Sequence, residues 1–387
     1  HVTSGAEASG KSTAAAHVLK SAIKTKLPVC VMYDAEGTVH PEYTGKILGV
    51  KSLTDIFGEQ NKKGEWIKEP LARYYQENIL EDFFRFTRGI MRCLPQKIYQ
   101  PETKQWFLIY KDDKIQKNSM EEMGHKPIKN LSGGGVYWCE APDTKPQAVI
   151  ILDSWPSLMA EKFEEEEDEK GGGLTLNARL LSEEFRKTGG QIRKKGVILF
   201  TVNQIRINPM PKWGALPEYE PCGESLKFYS SVRNQIRPRS VQSPWGKGRI
   251  LEEESIEGGV DKYAFKYFIN TKNKCGTPYL DGWSRVWVSD HKGKGRGFDP
   301  VFDCWEYLRL TGQASGSPPN RTIHIKLENI KLDLKWMEFK KIILAEHDNV
   351  MTDEVKKIFK KNKSKPFKIR SVCFKQLAKG EANNLRS

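Results

Sequence analysis

Three short apolar runs lie along the chain, at residues 28–33, 148–152 and 197–202. Near-continuous runs of Val, Ile and Leu are typical of parallel strands that helices cover on both faces. Their order along the chain predicts an α/β fold with a doubly wound, mostly parallel sheet.

Polar residues follow each run, with Asp34-Ala35-Glu36 after the first, Asp153 after the second and Asn203-Gln204 after the third. In a doubly wound sheet, ligands bind outside the carboxyl ends of the strands. We therefore expect Glu36, Asp153 and Gln204 to converge on one edge of the sheet. The local alternatives are that Glu36 caps the following segment and that Gln204 is a buried hydrogen-bonding residue.

A phosphate-binding motif reaches the same edge, because residues 5–12 fit the P-loop pattern G-x-x-x-x-G-K-[ST], also called Walker A. Its glycines let backbone N–H groups surround phosphates, Lys11 brings a positive charge, and the Ser12 hydroxyl ligates Mg²⁺. Residues 12–24 have a helical pattern, so the phosphates are expected at a helix N-terminus. The structural alternative is a Gly-rich turn before a helix.

Only four residues precede the motif and none is Met, so we expect the native start to lie upstream.

Weaker patterns predict the remaining elements. Apolar positions in residues 176–193 recur at helical spacing, with Arg179 and Arg186 on one helix face. Residues 77–92 predict an amphipathic helix, residues 105–110 a hairpin, and residues 263–270 and 284–289 antiparallel strands. Segments 164–173, 208–223 and 312–318 are predicted to be loops, the last of them a linker.

Composition limits the protein class. The seven cysteines are scattered and form no C-x-x-C pair, which indicates a reducing, cytoplasmic compartment and argues against a structural zinc site. No apolar run approaches the ~18–20 residues needed to cross a bilayer, so no membrane partner is expected.

The net charge of +14 is concentrated towards the carboxyl end, where residues 313–387 hold 17 Lys and Arg against 8 Asp and Glu. Aromatic residues lie among these charges, a combination that suits nucleic acid. A solvated basic face is the alternative interpretation.

Taken together, these motifs resemble the RecA family of recombination ATPases. The resemblance rests on the P-loop through Thr13, on residues 34–50 as the second strand and helix, and on residues 175–187 as the helix after a first DNA-binding loop. It continues with the segments 203–206 and 226–233, which bracket a second DNA-binding loop, and with Lys272-Asn273-Lys274 and Pro278. The matching segments span residues 1–57 and 147–310 in one uninterrupted order.

The resemblance implies a role for each matching residue. Glu36 is the catalytic carboxylate with Lys11 and Gln204, Ser12 and Asp153 hold Mg²⁺, and Phe228 couples adjacent subunits. In ATP binding, Tyr43 packs against the adenine, and Lys272 and Lys274 reach the ATP of a neighbouring subunit. The other ATP-binding residues are Asp153 and the P-loop residues Gly5, Ala6, Glu7, Ala8, Ser9, Gly10, Lys11, Ser12 and Thr13. DNA is contacted by Arg179, Arg186, Arg206, Gly223 and Lys227. From the residues alone, Arg179 and Arg186 could equally form a solvated helix face, and the two lysines ordinary turn charge.

Three features depart from the family. His40 stands where an acidic residue is usual near the adenine, and residues 164–169 place six carboxylates in the first loop. The stretch 58–146 is longer than its family counterpart, which predicts a subdomain inserted into a core of residues 1–57 and 147–312, followed by a basic DNA-binding domain at 313–387. Such divergence fits a phage recombinase, in a bacterial or phage-infected cell.

The resemblance implies a DNA-dependent ATPase that uses ATP and Mg²⁺, forms a head-to-tail filament on single-stranded DNA, and exchanges strands with double-stranded DNA. In this family a segment before the P-loop supplies much of the subunit contact, and we expect it upstream of this sequence. Two alternatives remain: a hexameric DNA helicase with the same core, and an ATP-binding DNA scaffold without turnover.

Overall fold

The computed structural model describes residues 1–111, 113–141, 146–161, 173–208, 218–238, 251–256, 259–276, 279, 281–289, 297–316, 322–327, 330–348, 350–362, 369–370 and 372–373. The chain divides into two compact units, the first made of residues 1–240 and 267–282 and the second of residues 241–266 and 283–387.

The elements are numbered in chain order. The strands are β1 (Val2–Gly5), β2 (Val29–Asp34), β3 (Glu59–Gln60), β4 (Trp66–Lys68), β5 (Arg73–Tyr75), β6 (Gln96–Gln100), β7 (Gln105–Lys111), β8 (Val136–Glu140), β9 (Ala148–Asp153), β10 (Val197–Gln204), β11 (Arg206–Ile207), β12 (Glu218–Tyr219), β13 (Val232–Pro238), β14 (Leu251–Ile256), β15 (Gly259–Asn273), β16 (Asp281–Ser289), β17 (Ala314–Ser315), β18 (Ile323–Leu327) and β19 (Ile330–Leu334). The helices are α1 (Lys11–Lys24), α2 (Pro41–Leu48), α3 (Thr54–Phe57), α4 (Leu80–Cys93), α5 (Lys114–Glu122), α6 (Gly173–Lys194), α7 (Gly223–Tyr229), α8 (Pro300–Leu310), α9 (Trp336–His347) and α10 (Asp353–Lys361).

The first unit is built on a sheet in which β13, β1, β10, β9, β2 and β5 lie side by side. All five of these pairings are parallel. The three apolar runs become β2, β9 and β10, which confirms the predicted mostly parallel α/β fold. Their registers set Gly5 opposite Gln204 and Asp34 opposite Asp153.

Helices cover both faces of this sheet, as a doubly wound fold requires. On one face, Val31 and Tyr33 pack with side chains of α4 and α6. On the other face, Cys30 and Met32 pack with Ala15 and Leu19 of α1. Alternate residues of β2 are thus buried on opposite faces, which explains why the strand sequence is apolar throughout.

Residues 58–146 contain three kinds of structure. The short hairpin of β3 and β4 comes first. Next, β5 pairs with β2 in the main sheet and α4 contributes Phe83 and Phe84 to its core. Last, β6, β7 and β8 form a separate antiparallel sheet whose Leu108 packs with Met120 of α5. The predicted domain boundaries at 57/58 and 146/147 remain predictions.

The second unit has a core of its own, in which residues of α8 pack with β18, β19, α9 and α10. One predicted feature of this region is wrong. Residues 312–318 were expected to form a linker because of their Gly and Ser content, but Ala314 and Ser315 form β17 and pair with β18. The hydrogen bonds between β17 and β18 therefore determine the structure of these two residues, although their composition is typical of a linker. The boundary at 312/313 and the DNA-binding role of the tail remain predictions.

Parts of the predicted loops at 164–173 and 208–223, the turn at 277–278 and the end of the basic tail lie outside the described residues. Within the described ranges, no helix combines the length and apolar character that crossing a membrane requires.

We expect Phe84→Ala to destabilise the first unit by about 3–5 kcal/mol, because the substitution leaves a cavity in a fully buried site. Phe84 is 0% exposed and lies against Phe83, Trp155 and Phe185. Urea denaturation followed by tryptophan fluorescence measures the effect. The matched control is Ile67→Ala, at a side chain that is 66% exposed, and equal midpoints for the two variants would contradict the packing described.

Candidate functional site

The P-loop connects β1 to α1 through a backbone that suits phosphate. Gly10 has a φ of 104° and Ala8 a φ of 55°, both in the left-handed region. A Cβ on Gly5 would lie 2.4 Å from the Ser9 Oγ and 2.5 Å from the Ile236 carbonyl oxygen, so only glycine fits there. Among the residues that the structure describes, no side chain caps the start of α1. The first N–H groups of the helix are therefore available to an anion.

Two side chains inside the loop also fit a bound triphosphate. The Lys11 Nζ donates to the Ala6 carbonyl oxygen at 2.7 Å, across the mouth of the loop. Burial lowers the pKa of Lys11, while the charges of Asp153, Glu36 and Glu7 act in the opposite direction. The Ser9 Oγ is buried and has no hydrogen-bond partner within the described part of the chain. A phosphate oxygen would give the Ser9 hydroxyl a partner and the Lys11 ammonium group a second one.

Asp153 lies at the end of β9 and is 2% exposed. Burial raises the pKa of Asp153 to about 6, and the neighbouring Glu36 and Asp34 add to this rise. A hydrogen bond from Ser12 and the charge of Lys11 oppose it. Ser12 and Asp153, the two predicted Mg²⁺ ligands, are therefore in contact. A divalent cation there would relieve the cost of the buried charge.

Glu36 meets Gln204 and Ser154. Its Oε1 accepts a hydrogen bond from the Ser154 Oγ and another, at 3.2 Å, from the Gln204 Nε2. The backbone N–H of Glu36 also bonds to the Asp153 carbonyl oxygen at 3.3 Å. The predicted convergence of Glu36, Asp153 and Gln204 is thus present in the geometry, although their catalytic roles remain predictions.

Asp34 is a residue whose importance the sequence reasoning missed. It is fully buried and accepts hydrogen bonds from the backbone N–H groups of Gly37, Thr38 and Val39 and from the Tyr74 hydroxyl. These bonds shape the loop that follows Glu36. An Asp three residues before a Gly is a typical turn signal, and it was present in the sequence.

A cleft of about 70 Å³ lies beside the P-loop and is lined by Ser12, Asp153, His40 and Tyr43 among others. The Tyr43 hydroxyl lies 2.8 Å from the Thr13 Oγ1, which places the predicted adenine contact next to the loop. His40 caps α2, where its Nδ1 accepts a hydrogen bond from the Tyr43 N–H at 3.4 Å. The unusual histidine therefore has a local structural role.

The predicted DNA-contacting residues lie on three elements of the first unit. Arg179 and Arg186 are exposed on α6, where Arg179 forms an ion pair with Glu183 at 3.1 Å. Arg206, on β11, donates to the Gln204 Oε1 at 3.5 Å. Gly223 begins α7 with a φ of 69°, and Lys227 on the same helix pairs with Glu224. Of these residues, Arg206 is the one that a described hydrogen bond connects to Gln204.

Lys272 and Lys274 are held against the end of α7. The Lys272 Nζ donates to the Lys227 and Phe228 carbonyl oxygens at 2.5 and 3.0 Å, and the Lys274 N–H bonds to Ser231. Phe228 itself is 69% exposed. The predicted roles of these residues concern a neighbouring subunit, which a single chain does not test.

Residues 144–255 match the RecA N-terminal domain family. Among curated proteins, the chain is similar to Protein RecA of Bacillus licheniformis, with 40% identity over 116 residues, or 30% of this chain and 32% of the relative. It is 30% identical to Protein RecA of Thermus aquaticus over 156 residues, which is 40% of each protein. It is 26% identical to Protein RecA of Leptospira meyeri over 221 residues, covering 54% of this chain and 53% of the relative.

Over residues 144–255 the chain matches the RecA family. The matched region holds Asp153, Gln204 and α7, while residues 5–12, the predicted P-loop, lie before it. The chain spans about a third to about half the length of these RecA relatives.

We expect Asp153→Asn to stabilise the nucleotide-free protein in EDTA at pH 8. A folded-state pKa of about 6 against an ordinary value of 3.8 means that ionised Asp153 destabilises the fold. This destabilisation is complete at pH values above the folded-state pKa and disappears as the pH falls below the unfolded-state pKa. The gain at pH 8 is about 3 kcal/mol and shrinks towards zero near pH 4.

Urea denaturation at a series of pH values measures this gain. Glu121→Gln, at an exposed carboxylate on α5, is the control and should change stability little at any pH. A gain at Asp153 that does not depend on pH would contradict the electrostatic explanation.

Proposed function

We propose that this chain is an ATP-dependent recombination protein that forms a filament on single-stranded DNA and promotes homologous pairing and strand exchange. In this proposal ATP and Mg²⁺ bind at the P-loop, and DNA binding stimulates ATP hydrolysis to ADP and phosphate. The match of residues 144–255 to the RecA N-terminal domain family supports the proposal.

The observation that carries the proposal is the hydrogen bond between Glu36 and Gln204. Gln204 ends β10, and β11 follows immediately and pairs with β12 through Arg206 and Tyr219. The segment between β11 and β12 lies within the predicted second DNA-binding loop, which residues 203–206 and 226–233 bracket. A single amide side chain therefore connects the root of this loop to the predicted catalytic carboxylate.

The chemistry follows from the positions of these residues. The N–H groups at the start of α1 and the Lys11 ammonium hold the phosphates, since both face the loop. Mg²⁺, when held by Ser12 and Asp153, supplies positive charge to the phosphate oxygens. The Glu36 carboxylate accepts a proton from an attacking water, and the Gln204 amide orients that carboxylate. The Tyr43 ring packs against the adenine.

DNA reaches this site through the elements that flank the second loop. Arg206 donates to Gln204 and lies next to the loop, so phosphates that bind Arg206 compete with this hydrogen bond. Moving the Gln204 side chain changes the position of Glu36. This is a short physical path by which single-stranded DNA can alter ATP hydrolysis.

Filament formation places Lys272, Lys274 and Phe228 at the boundary between subunits. Phe228 is a large exposed apolar side chain, and the Lys272 Nζ donates to its carbonyl oxygen. Head-to-tail contacts that do not close into a ring propagate as a helix. Electron microscopy with single-stranded DNA and an ATP analogue distinguishes this assembly from the ring of a hexameric helicase.

We expect Glu36→Gln to lower the DNA-stimulated ATPase rate by about 100-fold or more, because the amide cannot accept the proton from water. ATP binding is retained, since Glu36 does not belong to the phosphate loop. Phosphate release with and without single-stranded DNA measures the rate, and a fluorescent ATP analogue measures binding. Unchanged turnover would exclude Glu36 as the catalytic carboxylate.

Lys11→Ala is expected to remove both ATP binding and ATP-dependent filaments, since the ammonium group of Lys11 faces the phosphate loop. The control is Lys24→Ala, which removes a positive charge from the other end of α1 and should leave ATP binding intact. Normal pairing of homologous strands by the Lys11 variant would contradict the assignment of the P-loop.

A further inference from the structure

A small basic pocket lies at the amino-terminal edge of the main sheet, away from the P-loop. It has a volume of about 110 Å³, and three basic side chains, Lys26, Lys97 and His125, line it together with Gln147 and a mostly apolar wall of Leu27, Pro28, Leu108, Met123, Ala141 and Pro146. None of the described residues that line it carries a carboxylate. Three basic side chains around one pocket are suited to a phosphate group.

The pocket is separate from the nucleotide site. Residues 26–28 precede β2 and residues 146–147 precede β9, whereas Glu36 and Asp153 lie at the other ends of these strands. Each strand has six residues, so the two sites are roughly 20 Å apart along the sheet. A ligand in the basic pocket therefore does not compete for the P-loop.

Lys26 occupies a backbone position that favours glycine. Its φ is 53°, and it follows α1 in a helix-ending motif in which the Leu27 N–H bonds to the Ala22 carbonyl oxygen at 3.2 Å. Glycine is the usual residue in this left-handed position, because a side chain there is strained. A lysine at such a position destabilises the fold relative to glycine, which points to a role for its side chain.

An aromatic pair adjoins the pocket. Tyr99 and Trp106 lie opposite each other on β6 and β7, with ring centroids 5.2 Å apart, and Tyr99 is 45% exposed. Lys97, two residues before Tyr99, lies on the same face of the sheet and places its Nζ 5.5 Å from the centre of the Trp106 ring. Lys97 therefore joins the basic pocket to the aromatic pair.

The hairpin turn next to this pair contains a second lysine with left-handed backbone. Lys104 has a φ of 54° and is exposed, and it balances the charge of Glu102 in the same turn. The arrangement of a phosphate-sized pocket with basic side chains beside the exposed Tyr99 ring and the half-buried Trp106 ring is suited to nucleic acid, because the backbone is held by charge while a base stacks on a ring. An acidic peptide would use the lysines but not the rings.

We infer that this surface, formed by Lys26, Lys97, His125, Tyr99 and Trp106, is a second binding site for single-stranded DNA. One phosphate binds in the basic pocket and a neighbouring base stacks on Tyr99. The site acts without nucleotide, so its failure and that of the proposed ATPase are separate results.

Photocross-linking tests the position of the strand directly. The full chain in EDTA, without nucleotide, is irradiated with an oligothymidylate that carries 5-iodouracil, and the linked peptides are identified by mass spectrometry. We expect cross-links at Tyr99 or Trp106. Cross-links confined to other segments would overturn the inference.

Affinity measurements test the charges. We expect the double variant Lys26→Gly, Lys97→Gln to bind the oligonucleotide at least fivefold more weakly under the same conditions. The slope of log affinity against log salt should fall by about 0.7, since the neutralisation of one phosphate is lost. Lys62→Gln and Lys63→Gln together, at exposed lysines between β3 and β4, are the charge-matched control and should bind as the wild type does.

Two further results separate the inference from simpler explanations. The single variant Lys26→Gly should melt no lower than the wild type, because glycine relieves the backbone strain, so its weaker binding does not come from unfolding. Tyr99→Ala should weaken oligonucleotide binding by at least fivefold but leave the binding of polyglutamate unchanged. The inference would be overturned if Tyr99→Ala weakened the binding of the oligonucleotide and of polyglutamate equally. It would also be overturned if all the variants bound the oligonucleotide as tightly as the wild type does.

Discussion

The arrangement of the site depends on the register of the parallel strands. The pairing of β1 with β10 sets Gly5 opposite Gln204, and the pairing of β2 with β9 sets Asp34 opposite Asp153. A shift of one residue in either pairing would exchange the faces of a strand whose side chains are buried on both sides. The tightly packed core on both faces of the sheet therefore fixes the relative positions of the P-loop, Glu36, Asp153 and Gln204.

Hydrogen bonds between neighbouring segments further fix the positions of the site residues. Backbone groups of residues 35 and 36 bond to the Asp153 carbonyl oxygen, and the Glu36 side chain bonds to Ser154 and Gln204. The Asp153 carbonyl oxygen and the Glu36 carboxylate are thus held by hydrogen bonds from neighbouring segments of the sheet. Asp153 is buried with a raised pKa, which is the usual cost of burying a charged group.

Much of this arrangement could be predicted from the sequence, and the reasons for the exceptions are physical. Residues 28–33, 148–152 and 197–202 predicted the buried strands because apolar composition alone distinguishes a strand covered on both sides. The partner of β7 could not be predicted, because β8 lies beyond a helix and pairs through tertiary contacts. Ala314 and Ser315 form a strand because β18 offers hydrogen bonds that composition does not reveal. The roles of Glu36, Asp153 and the lysines rest on chemistry that needs nucleotide or a second subunit, so they remain predictions.

The hydrogen bonds of Asp34 have a consequence for the cleft beside residues 5–12. The backbone N–H groups of residues 37–39 and the Tyr74 hydroxyl all donate to the Asp34 carboxylate, which holds this loop in place. A ligand that enters the cleft therefore meets a wall that is already ordered, and little conformational entropy is lost there on binding. Selectivity at this wall is then decided by the shape and contacts of the cleft rather than by closure of a loop.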